Sequence, residues 1–248
     1  MGDTAPDARR ILGHIRGGRV LDVATGRGGF IGFLADGLAD YDEIIGIEVD
    51  DSRRSAFEAA TVGYRDVQFL QGDFMRAALG PGSFDTAAVS ASLHHFDDPV
   101  AVLRRMHELV RPDGWFVVSE MYRDGQTPAQ ETEVAVHDWM AAVDTATGGT
   151  HRPTFHRSEI IDMFGDLGLV DVREVDRADL DADPHDPTAI AQITDVVDRY
   201  VSKAAGRPEL LERAGELRDR LIANGIQEAT ILVLVGRLPP SRPNQLPR

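Results

Sequence analysis

"VLDVATGRGGF", residues 20–30, is the stretch that decides the fold. Val20, Leu21 and Val23 read as a short buried strand, and Gly26, Gly28 and Gly29 follow at once. A strand that empties into glycine brings bare backbone up to a ligand at a sheet's carboxyl edge. Three ligands compete for such a turn: a phosphate, a dinucleotide, or an adenosyl group without phosphate.

Flanking residues narrow the choice. A Walker loop needs Gly-Lys-Ser/Thr after its glycines, and the chain has none. A dinucleotide turn needs a third small residue for close helix–strand packing, and Ile31 falls at that place. An ionised Asp22 suits a cationic ligand better than a pyrophosphate. The next apolar run, "EIIGIEVD", brings Glu48 to roughly the 20-residue spacing at which a carboxylate accepts from ribose hydroxyls; Asp50 is the weaker candidate. "VQFLQGDF" then delivers Asp73, able to accept from an adenine amino group, and Phe74, able to cover the base. Together these residues describe adenosine with a positive group where a phosphate would stand.

Around this centre the chain alternates strand and helix signals, the pattern of a parallel sheet wrapped by helices. Strands are predicted at 19–24, 43–48, 67–70, 84–90 and 114–121, with helices at 4–16, 28–39, 52–61 and 99–110. Asp98 and Pro99 start the last of these, and "RPDG" stops it. The alternation breaks over 122–157, which holds a polar loop, a helix near 130–146 and the turn "TGGTHRP". A helix in "SEIIDMFGDLGL", a strand at 170–175, helices at 188–204 and 208–223 and a closing strand "ATILVLVG" complete one unit over 1–237. The proline-rich 238–248 is expected to be a disordered tail.

The 248 residues carry a net charge of −15, with Lys203 the single lysine. Such acidity argues against nucleic acid as a partner. No apolar run reaches the roughly 20 residues of a membrane helix, and the amino terminus lacks a secretory core, so a cytoplasmic, non-membrane protein is expected. The absence of cysteine excludes thiolate metal sites and cysteine nucleophiles.

These motifs together resemble the class I S-adenosylmethionine-dependent methyltransferases of the small-molecule branch. "VLDVATGRGG" is similar to their first motif, "IIGIEVD" to the second and "LQGDF" to the adenine motif. "SFDTAAVSASLHHFDDP" and "VLRRMHELVRPDGWFVVSE" resemble the fourth and fifth strand units. The resemblance implies a Rossmann-like three-layer α/β/α sandwich around a seven-stranded, mostly parallel sheet. Its last strand would be antiparallel, and 122–157 would be a helical lid insertion over the acceptor. It also implies S-adenosyl-L-methionine as cofactor. Asp22, Ala24, Gly26 and Gly28 would line the methionine portion, Glu48 would hold the ribose, Asp73 and Phe74 the adenine, and Ser90 the inner wall. Ala24 departs from the glycine of many relatives. "SASLHHF" also lacks the Asn/Asp-Pro-Pro-aromatic turn that goes with adenine methylation in nucleic acid, leaving a small-molecule acceptor.

Methyl transfer from a sulfonium is an in-line displacement, and a hydroxyl or ammonium acceptor needs a base. His94 and His95, just past the fourth strand, are the first candidates, followed by Tyr122 and by His137 in the lid; Glu120 reads as structural or solvated. Trp139 and lid histidines are expected to line an acceptor pocket, with Met140 and Val143 as core. His137, Asp144 and His151 are spaced by sevens. Seven helical residues rise about 10 Å, too far for ligands that sit about 2 Å from one zinc. Only a chain that turned back after "TGG" could bring His151 or His156 to a shared ion, so no metal ligand is assigned. Two alternatives stand beside a methyltransferase: non-methyl chemistry on the same cofactor (cyclisation, cleavage or alkyl transfer), and a cofactor sensor without turnover. The carboxyl-terminal helices could form a homodimer face or cover the sheet.

Overall fold

A computed structural model describes residues 5–240. Seven strands form one sheet in the order β3-β2-β1-β4-β5-β7-β6. They are β1 (Arg19–Val23), β2 (Glu43–Glu48), β3 (Val67–Gln71), β4 (Phe84–Ser90), β5 (Val110–Met121), β6 (Val170–Arg177) and β7 (Ile231–Arg237). β1 to β5 pair in parallel, and β7 runs antiparallel between β5 and β6. The predicted sheet is the observed one, with the reversed strand where "ATILVLVG" places it.

Strand alternation sorts side chains onto two layers. Leu21, Val23, Ile45, Ile47, Val89, Phe116 and Val118 face one apolar core, covered by α4 (Pro99–Leu109) and α6 (Arg157–Gly165). Val20, Ile44, Ala88, Val117, Val233 and Val235 face the other. That core is covered by α1 (Ala5–Leu12), α2 (Ile31–Gly37) and Phe57 of α3 (Arg54–Thr61).

Element ends differ from expectation for local reasons. α1 stops at Leu12 because the chain turns there, Gly13 N–H donating to Arg9 O, and then bridges Arg16 to Asp40. α2 starts at Ile31, since Gly26 and Gly28 hold positive φ (58° and 79°) and spend the preceding residues on the turn. "RPDG" lies inside β5: Val110 pairs with Phe84 across an irregularity, and Asp113 takes φ 65°. Leu238, expected in the tail, is buried and donates its N–H to Gly114 O. The rest of that tail from 241 onward, like residues 1–4, lies outside the described residues.

The segment 122–157 does not act alone. Its helix α5 (Pro128–Ala146) packs with α7 (Pro187–Lys203) and α8 (Pro208–Asn224) around Val136, Trp139, Val143, Val197, Ala214 and Leu217, a third core separate from the sheet. The carboxyl-terminal helices thus cover α5. Trp139, expected at an acceptor pocket, is fully buried here and donates Nε1–H to Leu210 O.

Candidate functional site

A cleft of about 540 Å³ opens where β1 and β4 part, at the carboxyl edge. This is the crevice in which doubly wound sheets bind ligands. Asp22, Ala24, Gly26, Glu48 and Ser90, all named from sequence, line it together with His95. Thr25, Phe30, Val49, Arg53 and Phe96 line it too. Sequence reasoning named none of these five, although Thr25, Val49 and Phe96 lie inside the quoted motifs, because spacing singles out the acids and glycines rather than their neighbours.

Asp22 sits on the apolar face that carries Val20, 1% exposed. Its Oδ2 accepts from Thr25 Oγ1 at 2.5 Å, while its Oδ1 is buried without a partner. Burial pushes its pKa up to about 7, against the smaller downward pull of Thr25. The turn that follows is held by positive φ, including 53° at Ala24, a conformation that costs an L-residue roughly 1–2 kcal/mol. That explains the glycine of many relatives. Glu48 is buried, its oxygens accepting from Gly26 N–H and Asp50 N–H at 3.0 Å each. One carboxylate thus clamps the glycine turn to the end of β2.

Three expected contacts are not in the cleft wall. Gly28 makes room for α3: a Cβ there would come 3.0 Å from Phe57 Cδ2 and 3.2 Å from Thr61 Cγ2. The Phe74 ring is buried in the sheet's core, with Arg105 above it, and offers no open face to a base. Asp73 is half-exposed at the exit of β3, where its Oδ1 accepts from Met75 N–H and its Oδ2 lies 3.3 Å from Arg76. Its neighbour Gly72 donates to Glu48 O, so this exit abuts the ribose-type acid.

The histidines behave differently from a set of separate bases. His94 is buried with Nδ1 at 2.9 Å from Glu120 Oε1. Glu120, 1% exposed, also accepts from Ser92 N–H and Leu93 N–H, which fixes the turn that carries the pair. His137 reaches from α5 to meet His94 at 3.2 Å between Nε2 atoms, and His151 Nε2 lies 3.4 Å from His137 Nε2. The turn back after "TGG" is real. Gly148 takes φ 92°, Gly149 N–H donates to Asp144 O, and Arg152 N–H donates to His94 O. Asp144 joins by holding His151 Nδ1 at 2.7 Å. Burial lowers the pKa of His151 despite that bond. The His95 ring keeps an open side at the cleft. Its burial among the other imidazoles pushes its pKa far below the usual histidine range, so it is neutral at pH 7. His156 lies outside the group, exposed and paired with Asp124. Tyr122 lies outside the cleft wall, buried in the sheet's core with the Arg157 guanidinium 5.9 Å over its ring.

A methyltransferase-domain family model matches residues 5–174, more than half the chain. The chain belongs to the class I S-adenosylmethionine-dependent methyltransferase family. The methyltransferase is 29% identical over 105 residues to a demethylmenaquinone methyltransferase of Bacillus licheniformis, 42% of this chain and 45% of that one. It is 33% identical over 119 residues to a ubiquinone biosynthesis O-methyltransferase of Paracidovorax citrulli, 46% and 48% of the two chains. The chain thus spans about half the length of these relatives. A Bacillus halodurans protein crystallised as a candidate methyltransferase shares the fold at TM-score 0.61 and 13% identity, over 96% of this chain and 100% of that one. No helix among the described residues is long and apolar enough to cross a membrane.

Proposed function

We propose that this methyltransferase transfers the methyl group of S-adenosyl-L-methionine to an oxygen, nitrogen or carbon of a small acceptor. The observation that carries the reading is the orphaned Oδ1 of Asp22, buried at the glycine turn in the same cleft as Glu48. A buried acceptor without a partner costs about 1–3 kcal/mol, more when charged, and the cofactor's ammonium is the cation that would relieve it. The rest of the cleft fits an adenosyl group. Glu48, held by two backbone N–H groups, keeps lone pairs for ribose hydroxyls. Val49, 64% exposed beside it, offers an apolar surface to the base in place of Phe74. Asp73, at the adjoining strand exit, is the acceptor for the base's amino group.

When bound, the cofactor supplies a methyl group on a positively charged sulfur. The chain's own residues bind it, keep water out and hold the acceptor in line, which supplies much of the acceleration in such displacements. Ser90, Ala91 and Ser92 form the wall behind the cleft, and His95 and Phe96 close it. The alignments with the quinone-pathway enzymes span under half of each chain and carry no acceptor identity.

Calorimetry with S-adenosylhomocysteine tests the proposal. Binding is expected, with Glu48→Ala weakening it at least tenfold. No binding at high micromolar ligand overturns it. Mass spectrometry of enzyme and cofactor alone checks the chemistry, since methylthioadenosine formed without acceptor would point to cleavage instead.

A further inference from the structure

Beneath the cap, three side chains from distant parts of the chain converge. His94 leaves β4, His137 sits on α5, and His151 lies past the "TGG" turn. Their Nε2 atoms are 3.2 Å apart for His94 and His137 and 3.4 Å for His137 and His151, and the three ligand atoms all lie within 4.8 Å of one another. Behind each ring stands a partner for Nδ1. Glu120 takes that of His94 and Asp144 that of His151, at 2.9 and 2.7 Å. An ionised carboxylate only accepts, so both Nδ1 atoms carry the proton and both Nε2 atoms keep their lone pair. Thr154 donates its hydroxyl to Asp138 at 2.6 Å, so its oxygen is left to accept from His137 Nδ1 at 3.3 Å. With the three rings neutral, their Nε2 lone pairs face one another, an arrangement that a bound cation stabilises.

We propose that His94, His137 and His151 bind a single divalent transition-metal ion of the zinc class through their Nε2 atoms. Nitrogens arranged tetrahedrally about 2.0–2.1 Å from zinc stand roughly 3.3 Å apart, the spacing found along two edges of this triangle. Imidazole donors suit zinc, copper, iron or nickel rather than magnesium or calcium. The carboxylates behind His94 and His151 are the outer-shell partners that metal-ligating histidines carry. Asp144 is itself held by the Tyr200 hydroxyl at 3.1 Å and Lys203 Nζ at 2.5 Å, so α7 stiffens the arrangement. Three protein ligands leave a coordination position open, as in reactive rather than structural zinc sites.

The His95 ring, 4.3 Å from the rings of His94 and His151, separates the triad from the cofactor cleft. An acceptor oxygen that reached the ion's open coordination position past His95 would be held and polarised there. That use rests on the methyltransferase reading; the ion's binding does not. His94 and His137 thereby become ligands instead of the bases their sequence positions imply.

Cobalt(II) is the probe, titrated into chelator-stripped protein. Wild type is expected to develop the visible d–d absorption of four-coordinate cobalt, saturating at about one equivalent per chain. His137→Ala and His151→Ala should lose it, while His156→Ala, outside the triad, should keep it. Asp144→Asn should weaken uptake about 10–100-fold. Wild type that takes up cobalt or zinc no more tightly than a folded His137→Ala protein, with circular dichroism as the check on folding, overturns the site. S-adenosylhomocysteine calorimetry on the same stripped protein separates the two readings. Ligand binding without metal uptake overturns the ion alone, and metal uptake without ligand binding supports the ion while overturning the proposed cofactor reading.

Discussion

Asp22 combines two properties that oppose each other, full burial on an apolar strand face and a carboxyl oxygen with no partner. Its pKa near 7 follows from the first, and a cationic ligand answers the second. In the empty protein the group is protonated below about pH 7, and the cofactor's ammonium needs it ionised. Affinity for S-adenosylhomocysteine should therefore tighten as pH rises from about 6 to 8, by less than tenfold per unit, and then level off. Asp22→Asn should bind weakly with no such dependence. Calorimetry across that range checks both, and a wild-type affinity flat with pH contradicts the assignment. At this scale spacing brings Asp22 and Glu48 to strand ends that line the cleft. It does not decide where Phe74 and Tyr122 go, because a residue beyond a strand end can turn toward the core or the cleft.

Among the elements, α5 carries the most tertiary information. Its amino end is capped within the sequence: Thr127 accepts from Gln130 N–H and Gln130 returns the bond to Thr127 N–H. Thr127→Ala should cost about 1 kcal/mol in urea melts. Its packing, by contrast, comes from helices about 50 to 85 residues away, the separation of Trp139 from α7 and α8. Trp139→Ala removes the largest buried side chain of the cap and orphans Leu210 O, so a loss of about 3–5 kcal/mol is expected. An unchanged melting transition would mean the cap contributes little to global stability. The apolar spacing of α5 showed that a helix exists there; which face its tryptophan presents, and to what, depended on α7 and α8.

For the whole molecule, buried acids set how stability follows pH. Burial raises Asp22 and Glu133 to about 7, so both hold a proton in the fold where the unfolded chain has lost it. Stability from these groups is greatest below their unfolded values near 4 and falls as pH rises toward 7. Asp85 and Asp124 run the other way. Burial pushes each up, but hydrogen bonds from Arg19, Arg111, Arg157 and His156 outweigh it and leave the pKa lowered. Their stabilisation is present above about 4 and lost as pH falls below it. Denaturant midpoints of the ligand-free protein should therefore peak on the acid side of neutrality, near pH 5, and Asp22→Asn should flatten the decline above it.

From the linear chain came the sheet, its reversed strand, the glycine turn and the two acids that flank it. The strands rest on local periodicity and the two acids on the spacing of neighbouring strand units, whereas the reversed last strand is what the family resemblance implies. Tertiary structure alone decided the three-helix cap and the meeting of His94, His137 and His151. The ordinary rise of a helix argues against that meeting, and it occurs because the chain leaves the helix, folds back at Gly148 and is tied by Arg152 to the backbone of His94. Contacts made by chain reversal between distant elements leave no period and no spacing to read.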